Sequence, residues 1–540
     1  SHGRLSHGRA RDHAGTLDTL RRAQVLCVDE GHNFLNVASN RSQHLLRNLA
    51  DHVVLFTATP LNRSTADLLR IADLLGADNL DPRVFRAFQR MLGVGRVTRA
   101  LSPEETDLLR REIQRFTVRR TKGMLNALVD RNPEAYVDGE GRPCRFPRHE
   151  ARTYGLGESA GARRIARRID ELADGLLGVA HFRRTLELPE ALRRQGVAES
   201  RYLEVRLRSA NRLSRHQIMA GLRSSRAALM EHLIGTTATV DRLALDGFSK
   251  AADTGDVIGT LARLAGEPPR SRLSVPLPDW LADSEAHRAA CAADRARYEE
   301  ILELLDALGD EREQAKARQL VEIARRHPLV LAFDARPISL AVIERALRAL
   351  DADVEVVVAT GDRGSDRERA LDAFARGSAA SGIVGLCSDS LSEGVNLQQA
   401  SALVHLDMPS VVRIAEQRVG RVDRMDSPHP VIEAWWPDDA PEFALRSDER
   451  FLERHETVER LLGANLPLPE HLAGDARPVT AAEQIAEAEA AAAAPPWDGI
   501  EDAFAPVRDL VTGAGALVDE DTYRQATERL ARVRRHLSVV

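Results

Sequence analysis

The chain has 540 residues, 43% of them hydrophobic, and a formal net charge of -6 at pH 7. That length predicts three or four domains, and the hydrophobic content is enough for several buried cores, which excludes a disordered chain. The charge excludes a protein that is strongly basic as a whole, although it leaves a locally basic cleft open.

Signals for a membrane or for secretion are missing from the sequence. No stretch reaches about 18 consecutive apolar residues, and the N-terminus lacks the basic-then-apolar layout of a signal peptide. We therefore expect a cytoplasmic protein. The cysteines Cys27, Cys144, Cys291 and Cys387 form no CxxC pair, so we expect reduced, buried thiols rather than a zinc site or a disulfide.

Two short apolar runs, at 24–28 and 53–56, are predicted to be buried parallel strands. Asp29 and Glu30 follow the first run, at the strand end where open α/β sheets bind ligands. Phosphoryl transfer needs one carboxylate that holds Mg²⁺ through its water shell and another that orients and deprotonates the attacking water. Asp29 is the candidate for holding the metal ion, and Glu30 is the candidate for activating the water. An acidic pair at a strand end is, taken alone, more typical of a helix cap.

The second run leads into Thr57-Ala58-Thr59-Pro60. Hydroxyl groups at this edge can link a nucleotide site to movement of another domain. By itself the segment is typical of a Thr-Pro turn.

From about 150 to 325 the strand signal gives way to arginine-rich helical periodicity, which predicts a helical insertion. Arginine faces of this kind are usually solvated helix surface, so no nucleic-acid contact is predicted from them. After about 445 the pattern is helical again, with an alanine-rich run at 481–494 that ends at Pro495 and Pro496.

Between these helical regions a second set of strands is predicted, which indicates a second α/β domain. The strands lie at 328–333, 354–359, 383–387 and 402–406. A polar loop follows the third of them and carries Ser388, Ser390, Gly394 and Asn396. Such a loop is, in isolation, an ordinary Ser/Gly turn.

Twenty residues further on, Gln417, Arg421 and Arg424 lie in the run Gln-Arg-Val-Gly-Arg-Val-Asp-Arg. Arg421 and Arg424 are three apart, so on a helix they share a face and can point across a cleft. Two guanidinium groups there can neutralise charge that develops on a γ-phosphate. The alternative is a salt-bridged helix surface.

Taken in order, these segments resemble the motifs of the Swi/Snf-type superfamily-two helicases. The acidic pair is similar to motif II, the Thr57 segment to motif III, 329–333 to motif IV, and the two later segments to motifs V and VI. Arg119-Arg120-Thr121-Lys122 is similar to the segment that closes the first lobe in this group. The resemblance covers about 24–125 and 315–430, and is nearest to bacterial RapA-like and phage-defence DISARM-like members.

This resemblance implies an α/β fold with two RecA-like lobes, the first partial, a large helical insertion and a helical C-terminal tail. The implied domains are 1–135 for the first lobe, 136–310 for the insertion, 311–445 for the second lobe and 446–540 for the tail. It implies ATP and Mg²⁺ as cofactors and double-stranded DNA as the partner. Further protein partners would belong to a defence or transcription complex.

The resemblance also implies a role for each candidate residue. The catalytic set is Asp29, Glu30, Arg421 and Arg424, with Asp29 holding Mg²⁺ through water. ATP binding or coupling is implied for Gln417, Gly394, Asn396 and Thr59. Nucleic-acid contact is implied for Thr57, Ser388 and Ser390.

The sequence departs from the family pattern because no GxxxxGK[ST] phosphate-binding loop occurs in it. Its lysines are Lys122, Lys250 and Lys316, and none follows a glycine-rich loop. Since the family places this loop upstream of motif II, we expect a truncated N-terminus and no ATP hydrolysis by the 540 residues alone. Two alternatives stay open: a strand-separating DNA helicase and a catalytically inactive DNA-binding scaffold.

Overall fold

The structure is a computed structural model in which the described residues form two compact units, one up to Leu128 and one from Val129 onward. The described residues are 19–20, 22–35, 39–57, 71, 74–75, 122–139, 141–142, 144–188, 193, 196–250, 252–351, 353–360, 364–389, 396–409, 412–425 and 427–445.

The first unit contains two parallel strands, β1 (Val25–Val28) and β2 (His52–Leu55), joined through a short 3-10 helix (Gly31–Phe34) and helix α1 (Asn40–Leu46). Both strands lie within one residue of the predicted positions. Their small core consists of Val28, Phe34, Leu35, Leu45, Ile71 and Leu74.

The second unit contains a six-stranded parallel sheet in the order β3-β8-β7-β4-β6-β5. Both faces of this sheet are covered by apolar clusters, as expected where crossover helices pack on a parallel sheet. The strands are β3 (Arg148–Gly155), β4 (Leu329–Asp334), β5 (Glu355–Ala359), β6 (Ile383–Ser388), β7 (Ala402–His405) and β8 (Val431–Asp438).

Helices alternate with these strands and also form a separate packed layer between β3 and β4. From Lys122 onward the helices are α2 (Lys122–Arg131), α3 (Ala160–Asp174), α4 (Glu199–Ser224), α5 (Arg226–Ile234), α6 (Thr236–Leu243), α7 (Val257–Leu264), α8 (Asp279–Ala282), α9 (Ser284–Leu308), α10 (Glu311–Ala324), α11 (Pro337–Leu350), α12 (Gly364–Phe374) and α13 (Val412–Val419), with 3-10 turns at Pro133–Ala135 and Val179–His181.

The α/β class and the four predicted strands of the second domain are confirmed by β4, β5, β6 and β7. The prediction that 136–310 is helical is wrong at β3, which pairs along its whole length with the unpredicted strand β8. Among the described strands β3 has one neighbour, and its outer face carries Arg148, Glu150 and Arg152 joined by ion pairs. Charged edge strands lack the apolar run by which buried strands are recognised.

The helical layer is joined to the sheet through buried polar groups. Ser224, at the end of α4, donates to the Asp334 carboxylate at the end of β4 across 2.7 Å. Lys316, fully buried on α10, donates to the carbonyls of Arg223 and Ser224 at 3.1 and 2.6 Å. Because these bonds satisfy groups that would otherwise be buried without partners, they fix the layer against the carboxyl edge of the sheet.

None of the helices in the described part of the chain is long and apolar enough to cross a membrane. The cysteines differ from the expectation of uniformly buried thiols. Cys291 and Cys387 are buried, Cys144 is half-buried and Cys27 is exposed on β1. All four are free thiols, as expected. Cys27 is exposed because alternate side chains of β1 face solvent.

Candidate functional site

In the first unit the predicted acidic pair forms a tight turn directly after β1. Asp29 is exposed, and its Oδ1 accepts a hydrogen bond from the Glu30 N–H at 2.9 Å. Glu30 has φ 50° and ψ 48°, in the left-handed region that residues other than glycine seldom occupy. Such backbone strain persists only where surrounding contacts impose it, and it is concentrated at functional sites.

The contacts that impose this turn come from the end of β2. The Gly31 N–H donates to the Phe56 carbonyl at 2.8 Å, and a side chain at position 31 would approach Leu55 Cβ within 3.2 Å. The chain must therefore turn sharply at Glu30. Since parallel strands end at one edge of a sheet, the structure brings Asp29, Glu30 and Thr57 to the same edge, as predicted.

His32 joins these residues, although no role was predicted for it from the sequence. Its Nδ1 lies 3.1 Å from Glu30 Oε2 and 3.2 Å from Thr57 Oγ1, and its side chain is buried while that of Glu30 is half-exposed. The buried imidazole therefore links the Glu30 carboxylate to the Thr57 hydroxyl group. The sequence feature that could have identified His32 was its position two residues after Glu30, in the turn that packs against β2.

In the second unit the end of β6 meets the segment that follows α13. Ser388 is buried at the end of β6, whereas Asn396 is exposed. The next residue, Leu397, donates its N–H to the Arg421 carbonyl at 3.1 Å. The predicted residues Asn396 and Arg421 are thus held side by side. Thr59, Ser390, Gly394 and the Arg119–Thr121 segment lie outside the described residues.

The prediction that Arg421 and Arg424 share a helix face is wrong, because α13 ends at Val419. Both arginines lie in the turns that follow. Arg421 Nε donates to the Gln417 carbonyl at 3.0 Å and Arg424 Nε to the Gly420 carbonyl at 3.1 Å. These bonds satisfy carbonyls near the helix end and position both guanidinium groups without requiring a helix.

The helical arginine of this segment is Arg418, which the sequence analysis passed over. Its side chain is completely buried, with Nε 2.7 Å from Asp389 Oδ1 and Nη1 2.8 Å from Asp407 Oδ1. Asp389 adjoins the end of β6 and Asp407 follows β7. Arg418 therefore ties α13, and with it the turns that carry Arg421 and Arg424, to the loop after β6.

The positive charge of Arg418 and the negative charges of Asp389 and Asp407 stabilise one another in this centre. Burial lowers the pKa of Arg418, but Asp407 and Asp389 outweigh it and hold the pKa above its usual value. Burial raises the pKa of Asp407, yet Arg418 brings it below the usual value. Burial and Arg418 depress the pKa of His405 well below its normal range. A neutral His405 can accept from Arg418 Nη1, which lies 3.4 Å from its Nδ1.

We expect Arg418→Met to lower the stability of the second unit by about 3 kcal/mol, because it leaves two carboxylates facing each other without their buried partner. This is the low end of the usual range, since the side chains of Asp407 and Asp389 are 14% and 30% exposed. Urea denaturation followed by tryptophan fluorescence measures it. The control is Arg295→Ala, which removes an exposed pair with Glu299. Equal stability of the two variants would contradict this interpretation of Arg418.

Two family matches cover the segments described above. Residues 8–198 match the SNF2-related domain, and residues 315–426 match the helicase conserved C-terminal domain. The chain therefore matches both an SNF2-related domain and a helicase C-terminal domain. It is a member of the Swi/Snf-type superfamily-two helicases, a family that is ATP-dependent and usually employs Mg²⁺.

The chain is similar to curated proteins over short stretches. It is 36% identical over 109 residues to the RNA polymerase-associated protein RapA of Serratia proteamaculans, covering 20% of this chain and 11% of that protein. RapA of Proteus mirabilis is 35% identical over 102 residues, or 19% and 10% of the two chains. The alignments thus span about a tenth of these relatives. The structure of T4 UvsW matches with a TM-score of 0.20 and 14% identity, over 24% of this chain and 25% of that one.

The acidic turn offers carboxylate oxygens, which are suitable ligands for Mg²⁺. Mg²⁺ prefers oxygen ligands, keeps several waters and is commonly held by one or two carboxylates. Asp29 supplies an exposed carboxylate of which only Oδ1 has a hydrogen bond within the turn. In the described ranges no group of three or more His, Cys, Asp or Glu side chains could form a denser site.

Proposed function

We propose that this chain contains most of the motor of a cytoplasmic, ATP-dependent translocase that moves along double-stranded DNA. The observation that carries the proposal is the buried Arg418 centre in the second unit. It joins the loop after β6, for which nucleic-acid contact is expected, to the turns that carry Arg421 and Arg424. A motor needs such a rigid link, because a change at the nucleotide must move the surface that contacts the nucleic acid.

In this mechanism the candidate residues act on ATP as the substrate. Asp29 would hold Mg²⁺ through its water shell, and the bound ion would neutralise phosphate charge. Glu30, oriented by His32, would position and deprotonate the attacking water. Arg421 and Arg424 would neutralise charge that develops on the γ-phosphate. A phosphate-binding loop is still required, so the 540-residue chain alone should show no turnover.

The role of the RapA relatives supports a transcription complex as the setting, since they are named as RNA polymerase-associated proteins. A phage-defence complex is the second setting we consider, on the resemblance of the motif VI segment. Co-purification of the native full-length protein with RNA polymerase, or with the products of neighbouring defence genes, distinguishes them.

We expect duplex DNA to stimulate ATP hydrolysis by the full-length protein, because Swi/Snf-type motors track the phosphates of intact duplex. With about six phosphate contacts, affinity for duplex should fall about a thousandfold between about 50 and 200 mM salt. Steady-state ATPase assays and salt-dependent fluorescence anisotropy measure these two effects. Stimulation by single strands alone, together with strand separation, would favour a helicase instead. Turnover by the 540-residue chain would show that the nucleotide site has been placed wrongly.

A further inference from the structure

A cavity of about 530 Å³ lies in the second unit where the helical layer meets the carboxyl edge of the sheet. Its walls come from 180–186, α4, the end of α5, the loop before α7 and the residue Arg336 just after β4. None of these segments belongs to the motifs described above except Arg336, which follows the motif IV strand.

The walls of this cavity are rich in arginine. Arg183, Arg184, Arg206 and Arg336 all line it, and in the described part of the chain none of the four forms an ion pair with a carboxylate. Neighbouring helix arginines behave differently, since Arg208 on the same helix pairs with Glu204. The prediction that arginines of this region are ordinary solvated surface does not describe Arg206, which is half-buried in the cavity wall.

Local contacts hold the arginines without cancelling their charge. Arg183 Nε donates to the Ala180 carbonyl at 2.9 Å, and the Arg206 guanidinium lies 5.6 Å from the centre of the Phe182 ring. The Arg336 N–H donates to Asp334 Oδ1 at 2.8 Å, which fixes its backbone at the end of β4. The contacts of Arg183 and Arg206 orient their guanidinium groups before any anion arrives.

The carboxylate in the wall, Glu231, is already neutralised. It is buried and accepts from Lys250 Nζ at 2.6 Å and from Thr236 Oγ1 at 2.7 Å. The cavity therefore keeps a net positive charge that a ligand would meet.

The wall segment itself is rigidly placed. The buried Asp294 on α9 accepts hydrogen bonds from the N–H groups of Leu177, Gly178 and Val179 at 2.8 to 3.0 Å. Gly178 has φ 77°, and a side chain there would lie 2.6 Å from the Ala210 backbone. Only glycine fits at this position. The backbone that leads into the wall segment 180–186 is therefore fixed in place.

Two histidines lie next to these arginines in the cavity wall. Burial lowers the pKa of His181, and Arg183 and Arg206 lower it further. Burial, Arg336 and His181 together lower the pKa of His232 to about 4. His232 Nε2 is buried and has no hydrogen-bond partner among the described residues. A buried nitrogen without a partner is uncommon in native structures, and His232 lines the cavity.

Arginine binds phosphate through its planar fork of N–H donors, so the chemistry of this cavity selects phosphate groups. The charge also extends outward, since Arg206 and Arg336 are half-buried whereas Arg183 and Arg184 are exposed. Arginines that range from half-buried to exposed suit a ligand that extends out of the cavity, such as a polymer with successive phosphates, better than one enclosed anion. We propose that this cavity of the helical insertion binds phosphates of the nucleic-acid backbone, which rests on the proposed function.

The test compares two alanine variants on one helix. We expect Arg206→Ala to weaken binding of a fluorescein-labelled 30-bp duplex roughly tenfold and to reduce the slope of log affinity against log salt by about 1. Arg208→Ala, which removes the same charge from the same helix, should stay within about twofold of wild type. Arg336→Ala is a second variant on a separate element, and thermal melting confirms that each variant is folded.

The outcomes separate this inference from the proposed function. Loss of affinity in Arg206→Ala and Arg336→Ala, but not in Arg208→Ala, supports the cavity. If wild type binds duplex and all three variants bind like it, the inference is overturned and the proposed function stands. If wild type binds no nucleic acid, the proposed function fails as well. Pyrophosphate that raises the melting temperature of wild type but not of Arg206→Ala, without any change in duplex binding, would assign the cavity to a free phosphate compound and overturn the backbone proposal.

Discussion

Replacing Glu30 with glutamine in the full-length protein should lower ATP turnover by about 10²- to 10⁴-fold and leave ATP binding nearly unchanged. The amide has the same shape as the carboxylate and can still accept from the His32 ring, whose Nδ1 lies 3.1 Å from Glu30 Oε2. It cannot take a proton from water. The turn should also be preserved, since glutamine meets the same left-handed backbone at φ 50° as glutamate.

Single-turnover kinetics with duplex DNA measure the rate, and equilibrium binding of a fluorescent ATP analogue measures affinity. The matched control is Glu299→Gln, an exposed glutamate on α9 that pairs with Arg295. It should hydrolyse ATP at the wild-type rate. Near-normal hydrolysis by Glu30→Gln would remove Glu30 from the role of general base.

The acidic turn shows how far a sequence can specify a site. The apolar runs predicted both strands, and parallel pairing then required Asp29 and Thr57 to lie at one edge. The left-handed conformation of Glu30 was beyond prediction, because it depends on Gly31 reaching the Phe56 carbonyl some 25 residues along the chain. The same long-range closure places His32 against Thr57, and a local pattern carries no information about it.

The motif VI segment shows the opposite case, in which the local structure predicted from the spacing was wrong. Spacing by three suggested a helix face for Arg421 and Arg424, yet the helix ends at Val419. The arginine that does lie on the helix, Arg418, is buried between two aspartates from other segments. A sequence of alternating charges looks the same whether its arginine faces water or the interior, so only tertiary packing distinguishes them.

The helical insertion was the least predictable part. Pairs spaced by four residues, such as Glu204 and Arg208, are visible in the sequence, and these two form an ion pair in the structure. Arg206 lies between such residues and has no equally local partner. Its place in a cavity depends on Phe182 and on the sheet-edge residue Arg336, more than a hundred residues away, so its environment appears only once the chain is folded.

Separate substitutions of Arg421 and Arg424 by alanine should each lower kcat by about 10³-fold, with a much smaller change in KM. Charge on the γ-phosphate develops mainly in the transition state, so guanidinium groups that face it act on the rate more than on binding. Each truncation removes one bond to a carbonyl near the helix end, from Arg421 Nε to Gln417 or from Arg424 Nε to Gly420, but the rest of the local fold should hold. The Leu397 N–H bonds to the Arg421 backbone carbonyl, which alanine retains, and the buried Arg418 centre does not include either side chain.

The control for both variants is Arg348→Ala on α11, which removes an exposed guanidinium paired with Glu344 in the same unit and should leave kcat unchanged. Arg424→Lys is a finer probe, because lysine keeps the positive charge but lacks the planar fork of N–H donors. We expect its activity to lie between that of Arg424→Ala and that of wild type. Steady-state ATPase assays with saturating duplex DNA give kcat and KM for each variant. If the alanine variants weaken ATP affinity and rate equally, Arg421 and Arg424 act in ground-state binding. If they change neither, both are surface residues of the turn after α13, and the arginines that complete the site must be sought elsewhere in the chain.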